Sequence, residues 1–127
     1  MNVVDSSAWL EYFAGGHNAK AFAGAIEATA SLIVPTLALY EVFKRILGQR
    51  GEGPALTAVA QMRQGAVVPL TPDLALSAAR VSMALRLPMA DSVMLATARQ
   101  FGATLWTQDA DFSAVDGVRF VAAKAKG

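Results

Sequence analysis

Apolar residues in this chain fall into two kinds of run. Short unbroken stretches, Leu32-Ile33-Val34 and Ala103-Thr104-Leu105-Trp106 among them, show no alternation with polar residues. Strands that read this way are buried on both faces, as in a parallel sheet covered by helices. Longer stretches repeat at helical spacing, as Leu39, Val42, Phe43 and Ile46 do at i, i+3, i+4 and i+7. The spacing predicts a strand at 2–4, a helix over 6–13 capped by Ser6 or Ser7 and broken at Gly15-Gly16, and an Ala-rich helix over 18–29. A second strand follows at 31–34, closed by Pro35. Thr36 can cap the next helix, which Gly48 and Gly51 end. A helix is predicted over 54–64 and a short extended piece over 67–70. Thr71-Pro72-Asp73 then opens a helix as cap, first-position proline and first-turn acid. Its apolar face is Leu74, Ala78, Val81 and Leu85. After Pro88 a nearly all-apolar helix spans 90–101 and stops at Gly102, and further strands fall at 103–107 and 118–121. Residues 124–127 read as a frayed tail. Strands alternating with helices predict an α/β fold with a central parallel sheet, in one domain over residues 1–127.

Four acids interrupt this pattern where a carboxylate is least expected. Asp5 ends the first apolar run, Glu41 lies one turn into an apolar helix, Asp91 opens the all-apolar helix, and Asp109 follows the strand ATLWT. Each has an ordinary reading when taken alone. Asp5 can cap a helix, Glu41 can pair with Arg45 at i+4, Asp91 can complement a helix dipole, and Asp109 or Asp111 can serve turn chemistry. Together, however, they fall at the carboxyl edge of a parallel sheet, where open α/β sheets place their ligand sites. Carboxylates gathered there repel one another and require a cation, and an oxygen-rich set suits Mg²⁺ or Mn²⁺. Such ions polarise phosphates and activate water, which points to phosphodiester chemistry.

Composition narrows the field. With no cysteine, zinc-thiolate sites, disulfides and thiol nucleophiles fall away. The net charge of +1 argues against binding nucleic acid through overall charge. An apolar share of 54% with only 17% charged residues leaves apolar surface for a partner. The N-terminus has no basic segment ahead of an apolar run, so no signal peptide is expected. With no stretch long enough to span a membrane either, a cytoplasmic location is the expectation.

The strings VDSSAWLEYF, VPTLALYEVFK and LPMADSVMLATARQFGATLWTQDADF, with acids in the order Asp, Glu, Asp, Asp, resemble a PIN domain. They are most similar to the VapC toxins of VapBC toxin–antitoxin pairs, over nearly the whole chain. The resemblance implies a three-layer α/β/α fold and Mg²⁺-dependent endoribonuclease activity, with Mn²⁺ as substitute, on structured RNA such as tRNA or ribosomal RNA. It implies Asp5, Glu41, Asp91 and Asp109 as the acidic quartet, with Ser6 and Thr107 as supporting hydroxyls and Asp111 as a further ligand. Lys44, Arg45, Arg50 and Arg86 are candidates for RNA phosphates. A homodimer is implied, and a cognate antitoxin that forms a higher hetero-oligomer and packs near Trp9, Tyr12 and Phe13. Trp106 stands where relatives carry a smaller aliphatic residue. The rival readings are a catalytically silent interaction domain and a receiver-like regulatory domain. The second needs a lysine at the end of a late strand, where this chain has Thr107-Gln108-Asp109.

Overall fold

The computed structural model describes residues 1–124. The elements in order are β1 (Asn2–Val4), α1 (Ser6–Ala14), α2 (Ala19–Glu27), β2 (Leu32–Pro35), α3 (Thr36–Arg50) and α4 (Glu52–Met62), then β3 (Ala66–Val68), α5 (Pro72–Leu85), α6 (Met89–Gln100), β4 (Thr104–Thr107) and β5 (Val118–Phe120). The five strands form one all-parallel sheet in the order β3-β2-β1-β4-β5. Helices cover it in a three-layer α/β/α arrangement, as the unbroken apolar strands require. Val3, Val4, Ile33, Val34 and Leu105 are fully or almost fully buried at its centre, together with Trp9, Phe22, Met94 and Phe112. The extended piece expected over 67–70 is the edge strand β3. Of the tail expected over 124–127, residues 125–127 lie outside the described residues.

The strand order fixes where a ligand can go. β1 sends one connection toward β2 and β3, whereas β4 and β5 lie on its other side. The gap beyond the carboxyl ends of β1 and β4 is therefore the point where the winding direction changes, the usual crevice for ligands in such sheets. Asp5 follows β1 there, with its backbone N–H donating to the Trp106 carbonyl at 2.9 Å, and Thr107 ends β4.

Several local expectations shift. The N-cap of α1 is Asp5, not Ser6 or Ser7, and it caps through its backbone carbonyl, which accepts from Ala8 and Trp9 N–H at 3.0 Å. Pro35 is the N-cap of α3, and the Thr36 hydroxyl instead donates to the Val68 carbonyl at 2.9 Å, tying α3 to β3. Gly48 lies inside α3, because glycine in a helix interior costs only about 1 kcal/mol relative to alanine. The helix stops at Gly51, whose φ of 88° is in the region that favours glycine. Thr71 behaves as expected and accepts from Leu74 N–H at 3.2 Å. Gly65 is held by a close approach, since a Cβ there would lie 2.9 Å from the Leu32 carbonyl oxygen.

α6 is the helix nearest to being wholly buried, with every residue from Asp91 to Ala98 inside. Its hydroxyls are satisfied locally. Ser92 donates to the Met89 carbonyl and Thr97 to the Val93 carbonyl, each at 2.7 Å. Trp106 has a structural account: its indole N–H donates to Asn2 Oδ1 at 2.8 Å and its ring lies 5.2 Å from the Arg119 guanidinium, so it braces β1, β4 and β5. No helix among the described residues is long and apolar enough to cross a membrane.

Candidate metal centre

Three elements deliver a carboxylate each to the switch-point crevice. Asp5 leaves β1 as the N-cap of α1, Asp91 sits in the first turn of α6, and Asp109 leaves β4 as the N-cap of the 3₁₀ turn Ala110–Phe112. One carboxyl oxygen from each of Asp5, Asp91 and Asp109 lies within 4.8 Å of the others. Residues 5, 91 and 109 are far apart in sequence, and the adjacency of β1 and β4 together with the packing of α6 against both brings them together.

Hydroxyls hold the acids in place. Thr107, completely buried, donates to Asp5 Oδ2 at 2.8 Å and accepts from the Asp109 backbone N–H at 2.9 Å, so one side chain positions two acids. Ser7 adds a second bond to Asp5 Oδ2 at 3.0 Å. Asp109 Oδ1 accepts from Asp111 N–H at 2.9 Å, which fixes its own turn. Ser6 donates to Glu41 Oε1 at 2.7 Å. Glu41 is thus held across the crevice by α1, rather than by Arg45 one turn along its own helix. It lines the crevice beside the trio without being one of the three gathered carboxylates. Asp111 is exposed, and its side chain meets Asp91 at the rim.

Electrostatics show the strain in this arrangement. Burial pushes the Asp91 carboxyl up to about 8, and the neighbouring Asp109 and Asp5 carboxylates add to the rise. Burial also raises Asp5, against the lowering effect of the bonds from Thr107 and Ser7. Left to itself, the trio therefore keeps a proton at neutral pH. The donor set is entirely carboxylate and hydroxyl oxygen, the chemistry of a hard divalent cation. A cation there would replace the retained proton and remove the conflict between like charges.

The crevice encloses about 580 Å³, within the range of ligand sites, and is lined by the quartet acids together with Tyr40, Lys44 and Arg45. Arg50 lines an adjoining cavity instead. Arg86 lines neither. It holds the left-handed cap of α5, with φ 55°. Trp9 is completely buried, stacked on Phe13 with ring centroids 5.6 Å apart, so it offers nothing to a partner. Tyr12 and Phe13 are half-buried. His17 is an exposed loop residue.

One polar cluster beside the crevice escaped the sequence reading. Asn18, buried at the start of α2, donates through Nδ2 to Gln108 Oε1 at 3.1 Å and to the Ala122 carbonyl at 3.0 Å. Its backbone N–H donates to Glu11 Oε2 at 3.2 Å. These partners lie on three separate segments, and no local pattern announces them.

The PIN domain family model matches residues 3–118. No curated protein matches the sequence. Among solved structures, the chain is similar to a toxin–antitoxin complex from Klebsiella pneumoniae, with TM-score 0.78 and 19% identity over 94% of this chain and 96% of that one. It is similar to VapC20 of Mycobacterium tuberculosis, described as a sarcin–ricin loop cleaving toxin, with TM-score 0.75 and 23% identity over 98% of this chain and 100% of that one. DNA-bound VapBC from Salmonella typhimurium gives TM-score 0.73 and 12% identity over 95% and 96% of the two chains. At these identities the likeness is one of fold.

Proposed function

The chain belongs to the PIN domain family, and from that premise we propose that it is a divalent-metal-dependent endoribonuclease, the toxin of a type II toxin–antitoxin pair that cuts structured RNA such as tRNA or ribosomal RNA. The observation that carries this reading is the meeting of Asp5, Asp91 and Asp109 within 4.8 Å at the switch point of the sheet. Residues 1–127 form a single PIN-like domain in this reading. Asp5, Asp91 and Asp109 hold Mg²⁺, or Mn²⁺ in its place, with Glu41 and Asp111 as the nearest further carboxylates. When bound, the cation supplies Lewis-acid polarisation of the scissile phosphate and lowers the pKa of water.

The chain's own residues do the rest. Thr107 and Ser7 fix the Asp5 carboxylate, so its geometry is set before substrate arrives. Glu41, oriented by Ser6 and outside the trio, is placed to accept a proton from the attacking water. Lys44 and Arg45 line the same crevice and offset phosphate charge that the acids would otherwise repel. Gly48, on the same wall, leaves room for a sugar–phosphate backbone.

The solved structures similar in fold include complexes of toxin with antitoxin, which supports a cognate antitoxin as partner. An antitoxin segment that packs against half-buried Tyr12 and Phe13 and extends a Lys or Arg to Asp5, Glu41 and Asp91 would offset their charge and displace the metal in one event. Leu76, Met83, Leu85 and Met89 are exposed along α5 and the start of α6. This apolar surface supports a homodimer. The test is incubation of the purified protein with total RNA in Mg²⁺ and in EDTA. Cleavage in Mg²⁺ that EDTA abolishes is the expected result. Intact RNA in both would leave a catalytically silent interaction domain as the better description.

A further inference from the structure

A second cavity, of about 360 Å³, opens beside the acidic crevice between α1, α3 and the end of β4. The two share Ser7, Leu10, Arg45 and Gln49 as common walls, so they form one groove with a change of character along it. The first half carries the quartet acids. The second carries Arg45 and Arg50, the amides of Gln49 and Gln108, the half-buried ring of Phe13, and a single acid, Glu11. Glu11 is already engaged by the Asn18 backbone N–H.

Gln108 is oriented before anything enters. The Ala122 carbonyl can only accept, so the Asn18 amide group facing it must be the NH₂. The same NH₂ then faces Gln108, which must turn its oxygen toward Asn18. The NH₂ of Gln108 is left as the end available to a ligand. Asn18 is buried, so this orientation is built into the fold. Gln108 stands between Thr107 and Asp109, both of which serve the acidic side, so its position relative to those acids is fixed by two backbone steps.

We propose that this cavity is a nucleotide subsite: it takes the unpaired nucleotide next to the scissile phosphate, its phosphate against Arg45 and Arg50 and its base edge against the Gln108 NH₂ and Gln49. The proposal rests on the nuclease reading and deepens it by assigning a specificity-determining residue. Two guanidinium groups and two amides suit a nucleotide better than an apolar protein segment. The half-buried Phe13 supplies a ring for the base to lie against. Gln108 chooses the nucleotide, and the acidic crevice cuts beside it.

The experiment is cleavage of a randomised single-stranded RNA library with sequencing of the products, paired with binding of a labelled octaribonucleotide to cleavage-disabled Asp91→Asn protein. Wild type is expected to enrich one base at one fixed position beside the cut. Gln108→Glu keeps the acceptor for Asn18 but replaces the donor with an acceptor, and is expected to change the preferred base at that position alone. Gln108→Ala is expected to flatten it and slow cleavage about 10-fold. Arg80→Ala, on α5 and away from the groove, provides the control profile. In the binding arm, Arg50→Ala on the Asp91→Asn background should weaken the RNA at every sequence and reduce the slope of log affinity against log salt by about 1. A Gln108→Glu profile that superimposes on wild type overturns the subsite, as does an unchanged salt slope. If wild type cuts neither the library nor total RNA in Mg²⁺, the nuclease reading fails, while the binding arm still decides whether the groove holds RNA. A groove that binds an antitoxin segment but not the octamer would assign it to protein and overturn the proposal.

Discussion

Two groups of polar side chains flank the end of β4, and they solve the problem of burial in opposite ways. On one side, Asn18, Gln108 and the Ala122 carbonyl form a knot of neutral hydrogen bonds. On the other, Asp5, Asp91 and Asp109 crowd three carboxyls together, and burial, reinforced by the neighbouring carboxylates, raises the Asp91 carboxyl to about 8. The change of side takes one residue, because Thr107 and Asp109 serve the acids and Gln108 serves the knot. The knot satisfies the Asn18 NH₂ within the chain and holds the structure together. The acids are supported by Thr107, Ser7 and Ser6, yet no basic side chain among the described residues offsets the repulsion at Asp5 and Asp91. A polar group that a protein holds in place but does not neutralise is positioned for something from outside.

That contrast breaks most readily at Asp91. Asp91→Asn keeps the shape of the side chain and removes its charge, so RNA cleavage should fall by at least about 10²-fold, the scale seen when one transition-state stabilising group is lost. In the absence of metal the same variant should melt higher than wild type. Near wild-type cleavage at limiting Mg²⁺ would show that the acids are not the site.

The acids should also couple stability to metal and to pH, whereas the knot should not. Mn²⁺ at about 100 times its dissociation constant should stabilise the fold by about 2.7 kcal/mol, read as a higher Tm that EDTA reverses. For pH, Asp91 is a weaker acid in the fold than its ordinary value of 3.8, so the folded state binds the extra proton. Its favourable contribution is full below about 4 and is lost as pH rises through about 8. The Tm of metal-free wild type should therefore fall across that window, and the fall should be smaller in Asp91→Asn or with Mn²⁺ bound. A pH profile identical in wild type and Asp91→Asn would contradict the assignment.

The knot sharpens the comparison from the other side. Asn18→Ala leaves Gln108 and the Ala122 carbonyl short of a donor and should cost about 1–3 kcal/mol, measured by denaturant unfolding. The Tm gain from Mn²⁺ should survive in that variant. Loss of the metal response along with the stability would mean that the two clusters work as one.

Much of the acidic side was legible in the sequence because its signals are local. An acid within two residues of the end of a buried strand, at Asp5 and Asp109, or opening an apolar helix, at Asp91, is costly enough to stand out. The parallel sheet followed from unbroken runs such as Leu32-Ile33-Val34, whereas the strand order and the seating of α6 that bring those three acids together are seen only in the fold. The partners that cross the fold were not legible. Glu41 is held by Ser6 on another helix, not by Arg45, and the Asn18 knot joins α2, the end of β4 and the segment after β5. Helix limits were misread where glycine was taken as a stop. Gly48 stays in α3 at small cost, while the positive φ of Gly51 ends it. Trp9, Tyr12 and Phe13 suit core and partner surface alike in the sequence, and packing puts Trp9 in the core while Tyr12 and Phe13 stay half-buried.

The central claim is that the carboxyl trio holds a divalent cation in place of a proton. Calorimetric titration of Mn²⁺ into metal-stripped protein at pH 7, repeated in buffers of different ionisation enthalpy, tests this directly. The account predicts binding to wild type that releases about one proton per ion, since ligands must deprotonate to bind, and much weaker binding to Asp91→Asn with no such release. Binding without proton release, or equal binding by wild type and Asp91→Asn, would contradict it.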